Sequence, residues 1–465
     1  MDVLRRNQNR TATFTRIWLP VLAIAMVIVP ACGLTRGRTV SQRGPESNPE
    51  RETSSRRQRT DGGGSSRRNE PVDAGTNNGR VTEIAQSDFN ATDSTSVLQR
   101  AINSDADTVV VPYTGRPWIV RPLNLRSNLR LILEPGVVLE AKRGAYKGKY
   151  DSVLLAKNMS NISILGYGAS IRMHRDDYKG SGYEKAEWRH GICLQGAVDV
   201  EIHGLHVAET GGDGLYIGPT WDSARNECRN VEVTDCHFDK NYRQGITVVA
   251  GTNIRIENCK MTGTAGIAPQ AGIDLEPSHP RDNMVAILVK NCVAEGNAGS
   301  GILANLTRLS NKSKPVSIRV ENFLVRDSVQ PGIRAILRED FGAEGYLDFV
   351  NCTVETTRYA GAVVIWDPGT KIRLSFEDCR WSNVARRSGE PPFHIELPNK
   401  NPGQRGSTIE FKNVRIFDDK NREPIRLTGK GEKLFRNVKG EITVRGNRSS
   451  VRELSEMPNL KVKSK

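Results

Sequence analysis

One short line of sequence returns throughout the middle of this chain. It reads Val-Glu-Val-Thr-Asp-Cys at 231–236, Ile-Arg-Ile-Glu-Asn-Cys at 254–259 and Ile-Leu-Val-Lys-Asn-Cys at 287–292, and four further copies follow, down to Ile-Glu-Phe-Lys-Asn-Val at 409–414. Its Asn/Asp falls at Asp235, Asn258, Asn291, Asn322, Asn351, Asp378 and Asn413, in steps of 23 to 35 residues. A repeat of this size with short alternating strands specifies a solenoid, because no single copy can bury its apolar face alone. A second row, Gly-(Ile/Leu)-x-apolar, runs in phase with the first at Gly191, Gly214, Gly245, Gly272, Gly301, Gly332 and Gly361.

Period-two apolar residues turn one face of each strand inward. No segment between the strands has the length and periodicity of a crossover helix. Equivalent strands must therefore stack in parallel, about 4.8 Å apart, coil on coil. The expected class is all-β, a right-handed parallel β-helix, since parallel crossovers are right-handed by default. A short N-terminal capping helix is expected from Ser94 or Thr95, with Leu98 and Ile102 inward. The Asn/Asp row suits left-handed turn residues able to form a ladder of amide hydrogen bonds. Five cysteines, Cys236, Cys259, Cys292, Cys352 and Cys379, share one slot and read as a buried ladder. No C-x-x-C pair is present to hold zinc.

The net charge of +14 raises a nucleic-acid reading, but its location argues against it. Residues 1–80 carry 14 Arg/Lys against 7 Asp/Glu, and residues 420–465 carry 13 against 5, so the solenoid body is close to neutral. Four arginines within residues 1–16 precede a 14-residue apolar run at 17–30. That length fits a signal-peptide core and is short for a spanning helix. Val29-Pro30-Ala31-Cys32-Gly33 resembles a bacterial lipoprotein signal, which implies acylation of Cys32. Residues 34–80 hold almost no large apolar side chain and read as a flexible stalk. The expected divisions are a signal at 1–32, a disordered linker at 33–80, the β-helix at 81–430, and a terminal strand with a basic tail at 431–465.

The Thr108-Val-Val-Val-Pro112 strand and Leu123-Asn-Leu-Arg-Ser-Asn-Leu-Arg-Leu-Ile-Leu-Glu-Pro-Gly136 follow the capping segment. Together they resemble the start of the pectate-lyase and polygalacturonase superfamily. The resemblance spans roughly 85–430. It implies a right-handed parallel β-helix acting on polysaccharide. Polygalacturonases carry Asn-Thr-Asp, Asp-Asp, Gly-His-Gly and Arg-Ile-Lys on successive coils. Here Thr210-Gly-Gly-Asp213-Gly214 is similar to the first of these, while Arg243-Gln244-Gly245 stands in place of the Asp pair. Asp213 alone carries over.

The Gly-Ile row is where chemistry concentrates. His190, Asp213 and Gln244 stand before its glycines, with Arg243 beside Gln244. Tyr216, Thr247 and Asp274 stand after its Ile/Leu, with Glu276 two further on. Asp213, Tyr216, Arg243, His190, Asp274 and Glu276 are the catalytic candidates. Gln244, Trp221, Tyr242, Glu209 and Arg334 are candidates for holding substrate. For a lyase, Arg243 and Gln244 would neutralise a uronate carboxylate, with Tyr216 or His190 as base or acid. For a hydrolase, Asp213 and Asp274 stand roughly 14 Å apart by rungs and rise, wide for an inverting pair. Asp274 and Glu276 stand roughly 6.6 Å apart, a spacing for a carboxylate pair or a Ca2+ ion. No other cofactor is implied.

The reading is a secreted or surface-tethered monomer of the bacterial cell envelope, cleaving an acidic polysaccharide by β-elimination or hydrolysis. Its membrane contact would run only through the N-terminal lipid or anchor, and it would bind no nucleic acid. The alternative is a non-catalytic β-helix for glycan binding or envelope adhesion. The charged and aromatic insertion at 172–189 favours a cleft.

Overall fold

The computed structural model describes residues 79–337, 342–367, 370–387, 389–397, 407–429, 435–446 and 457–464. The signal, Cys32 and nearly all of the linker lie outside these. Every pairing between named strands is parallel and joins one coil to the next, as in Leu215–Gly218 against Ile192–Gln195 on the preceding coil and Ile246–Val248 on the following one. Two sheets result among the described residues. One has 24 strands and wraps two faces of the coil; the other has 11 strands, from Leu123–Asn124 to Ile425–Gly429. Paired strands continue past residue 430, through Val438–Arg445 and Asn459–Ser464.

Alternation fixes which side chains go inside. In Val316–Glu321 the residues Val316, Ile318 and Val320 are buried while Ser317, Arg319 and Glu321 reach outward. The interior is one continuous stack of aliphatic side chains, with Phe349, Phe376 and Phe411 stacked ring on ring toward the C-terminal coils. Trp366 belongs to this interior and donates Nε1 to Ser407 Oγ at 3.1 Å.

The Asn/Asp row forms the expected ladder. Its seven residues have φ between 51° and 56°. Asn322 Nδ2 donates to Asn291 Oδ1 at 2.9 Å, and Asn351 Nδ2 to Asn322 Oδ1 at 2.7 Å. A short polar side chain tolerates this left-handed backbone and bonds its equivalent one coil away. The five-cysteine row is buried, and all seven described cysteines are free thiols.

The glycine row has a different cause. At Gly214 a Cβ would meet Asn241 Nδ2 and the Gly245 carbonyl at 2.7 Å, and at Gly245 it would meet the Gly272 carbonyl at 2.5 Å. The chain bends there so tightly that successive coils leave no room for a side chain. That bend turns the residue before each glycine into the wall between coils.

A helix at Thr95–Asn103 covers the first coils, with Leu98 and Ile102 buried. Its cap departs from expectation. Ser94 is the N-cap residue, but its side chain makes no capping bond; Ser94 Oγ instead donates to Asn90 O at 2.7 Å, while Asp93 Oδ1 accepts the Thr95 N–H at 3.1 Å. Asp93 also meets Arg121 and Lys142, which hold its carboxyl well below the usual range although partial burial opposes them.

Candidate functional site

Carboxylates from the two flanking coils of the 11-stranded sheet and from one insertion converge on one guanidinium. Arg243 precedes the Ile246–Val248 strand and is nearly buried. Its Nη1 lies 3.4 Å from Asp213 Oδ2 on the preceding coil, and its Nη2 lies 3.0 Å from Glu276 Oε2 on the following coil. Glu187 Oε2, from the 172–189 insertion, stands 3.8 Å from Nε. Arg243 is held firmly protonated by these carboxylates even though burial opposes the charge.

Beneath it, Asp213 and His190 have no exposed surface. The Asp213 backbone N–H donates to His190 Nδ1 at 3.1 Å, which places the ring proton on Nε2. Burial and the Arg243 charge depress the His190 pKa to about 3, so the ring is neutral. The 3.4 Å approach of His190 Nδ1 to Asp213 Oδ2 is therefore not an ion pair. Burial pushes the Asp213 carboxyl up to about 7, with Arg243 pulling the other way.

One coil on, Gln244 Oε1 accepts the Ala271 N–H at 2.7 Å, and Gln244 Nε2 donates to Asp274 Oδ2 at 2.8 Å. Both are fully buried. Burial, then the neighbouring Glu276, drives the Asp274 carboxyl well above its usual range. Four buried atoms of this cluster, His190 Nε2, Asp213 Oδ1, Arg243 Nε and Asp274 Oδ1, have no hydrogen-bonding protein partner. Such concentration of unpaired buried polar atoms is uncommon in a merely structural wall.

An aromatic wall adjoins the polar cluster. Tyr216 lies in register with Thr247 and Asp274, and its ring stacks on His190 at 5.1 Å. Trp221 Nε1 donates to Tyr216 Oη at 3.1 Å. Tyr150 packs against both Trp221 and Trp188, at 4.5 and 5.4 Å between centroids. Tyr150 and Trp221 are 51% and 41% exposed, so this wall is open to a ligand. Arg225 ties the Trp221 loop down through both carboxylate oxygens of buried Asp282, at 2.7 and 3.0 Å.

The remaining candidates lie apart. Arg334 is two rungs from Asp274, about 10 Å along the sheet, with Nε buried and unpaired. Tyr242 lies beneath the Lys179 ammonium, 5.8 Å from its ring centre. Glu209 is a left-handed corner residue at φ 55°, the role Lys240 plays at φ 52° one coil on, and no hydrogen bond or ion pair joins it to the cluster among the described residues. Glu187 is the residue that sequence reasoning missed. It belongs to no repeat slot, and only the aromatic and charged character of 172–189 marked the segment. Among the described residues no group of three or more His, Cys, Asp or Glu is placed to hold a metal ion.

A family model described as a right handed beta helix region matches residues 151–279 and 181–333. The chain is a right-handed parallel β-helix. In fold this β-helix is similar to the A-module of the Azotobacter vinelandii mannuronan C-5 epimerase AlgE6, with TM-score 0.57 and 16% identity, over 82% of this chain and 98% of that one. It is similar also to the family 28 exopolygalacturonase of Yersinia enterocolitica, with TM-score 0.54 and 14% identity, over 83% and 78%. A third likeness is the tailspike protein of E. coli bacteriophage HK620 in complex with a pentasaccharide, with TM-score 0.53 and 13% identity, over 76% and 63%. Two Bacillus subtilis proteins described as uncharacterized match by sequence. YclG is 26% identical over 38% of this chain, and the SPbeta prophage-derived YorA 22% over 43%. The match spans about a third of each relative, 32% and 36%.

Proposed function

We propose that this β-helix acts on a polysaccharide laid across the outer face of its 11-stranded sheet, and cleaves it by acid–base hydrolysis at the Arg243 cluster. One observation carries the reading: carboxyl groups from three chain segments, two of them coils and one an insertion, converge on a single nearly buried guanidinium beside an open aromatic wall. The similar folds named above include a polygalacturonase, an epimerase of a polysaccharide and a saccharide-bound tailspike, which agrees with a glycan as ligand.

Hydrolysis is preferred to β-elimination on physical grounds. Elimination needs a free cation for the substrate carboxylate and an exposed base. Both terminal nitrogens of Arg243 already face the protein's own carboxylates. His190 has no exposed surface, and burial holds the Tyr216 phenol protonated. The same reading places the protein outside the cytoplasm, secreted or tethered through Cys32.

A second reading is glycan binding without cleavage. It is favoured by the complete burial of Asp213 and His190. Incubation with uronic-acid, sulfated and neutral polysaccharides separates the two. New reducing ends support hydrolysis, and retention on a polysaccharide gel without new ends supports binding alone.

A further inference from the structure

We propose that Glu187 and Glu276, on opposite flanks of Arg243, are the two carboxyl groups that touch the sugar, with Glu187 giving the proton to the bridging oxygen. This rests on the hydrolytic reading above and names its acid and its base.

Solvent access separates these two from the rest of the cluster. The Glu187 and Glu276 side chains are 25% and 30% exposed, whereas Asp213 and Asp274 have no exposed surface. A glycan crossing this face meets the glutamates first. Asp213, below them, faces Arg243 and is a positioning residue. The glutamates are held 3.8 and 3.0 Å from different nitrogens of one guanidinium. Two such contacts across the width of a guanidinium keep their oxygens within about 9 Å of each other, inside the upper limit for carboxyls that share a water between them.

Glu187 is placed rigidly despite standing on an insertion. Its neighbour Trp188 stacks on Tyr150, and the next residue, Arg189, is a buried anchor. Arg189 Nε donates to Tyr146 O at 2.9 Å and Nη2 to Lys147 O at 3.3 Å, with Tyr178 and Tyr183 packed against the guanidinium. A bridge between Arg189 and Gly211 clamps the insertion over the Asp213 bend. A Cβ at Gly212 would meet the Glu187 carbonyl at 2.8 Å, so the bend and the insertion are fitted to each other. The aromatic wall thus lies one residue from Glu187, and a pyranose stacked on it by its C–H face would bring its glycosidic oxygen beside that carboxyl. Burial raises the Glu187 carboxyl above its usual range, with Arg243 opposing, which is the direction a proton donor needs.

The step balances. The Glu187 proton passes to the bridging oxygen as the C1–O bond breaks, water adds its oxygen to C1, and the water's proton ends on Glu276. Exchange with solvent restores both groups.

The test compares Glu187→Gln, Glu276→Gln and wild type on whichever polymer of the panel wild type cleaves, and on a dinitrophenyl glycoside of the same sugar, which leaves without a proton. Thermal unfolding confirms that each variant is folded. Glu187→Gln should lose about a hundredfold or more on the polymer, stay within about tenfold on the dinitrophenyl glycoside, and lose the alkaline limb of its pH profile. Glu276→Gln should fall on both substrates. Equal losses of Glu187→Gln on both substrates with the alkaline limb intact would mean a structural role and overturn the assignment. Polymer cleavage within threefold of wild type would do the same. A wild-type chain that cleaves no polymer overturns the hydrolytic reading, and this assignment with it.

Discussion

Asp213 on one coil stands 3.4 Å from Arg243 on the next, the carboxyl fully buried and the guanidinium nearly so. A carboxyl in that position is pulled two ways, since burial favours its neutral form and the guanidinium its charged form. Burial wins, with the pKa near 7. The folded state then keeps a proton that the unfolded chain releases near pH 3.9. A raised acid pKa removes stability as pH rises from about 4 to 7. Asp213→Asn has no such loss. Urea unfolding at pH 5 and pH 8 should show the variant gaining about 2–3 kcal/mol on wild type between those values.

His190 has the opposite sign. Its folded pKa lies near 3 against about 6.5 unfolded, so wild type loses stability as pH falls from 6.5 toward 3. His190→Asn should therefore gain on wild type in acid, and the two stability curves should run parallel above pH 7. Unfolding at pH 4.5 and 7.5 checks the direction.

Removing the shared cation should be costly. Arg243→Met leaves Asp213 without its counter-charge in a site with no exposed surface. The expected loss is about 3–5 kcal/mol at pH 8 and less at pH 5, where the buried carboxyls are already protonated. Equal losses at both pH values would show that packing, not charge, is what Arg243 supplies.

Much of this was legible because register is a property of repeats. The Asn and Gly rows fixed coil and sheet, and they put Asp213, Gln244, Tyr216 and Asp274 on neighbouring rungs. Spacing by rungs left the Arg243 link between the carboxylates unseen for a physical reason. It measures Cα positions, while Arg243 reaches to both flanking coils. Glu187 was invisible because its place depends on Arg189 burying itself among carbonyls of another loop, which no periodicity encodes. Ser94 shows the same limit at the cap, where a local turn with Asn90 takes the hydroxyl that the helix would have used.

The ladder itself can be measured. Asn322 sits at φ 53° and bonds both Asn291 and Asn351. Asn322→Ala loses both bonds and strains a left-handed residue, at a cost of about 1–3 kcal/mol. Asn322→Gly keeps the backbone free and should recover part of that loss. Chemical unfolding of the two variants separates the bond from the strain.

The most direct test of the central claim is to incubate the protein with the polysaccharide panel and follow reducing ends together with the ultraviolet absorbance of unsaturated sugars. Reducing ends that rise without that absorbance, and that vanish in Glu187→Gln, are the predicted result. Absorbance rising in step with reducing ends would mean elimination and contradict the account, as would no release from any polymer.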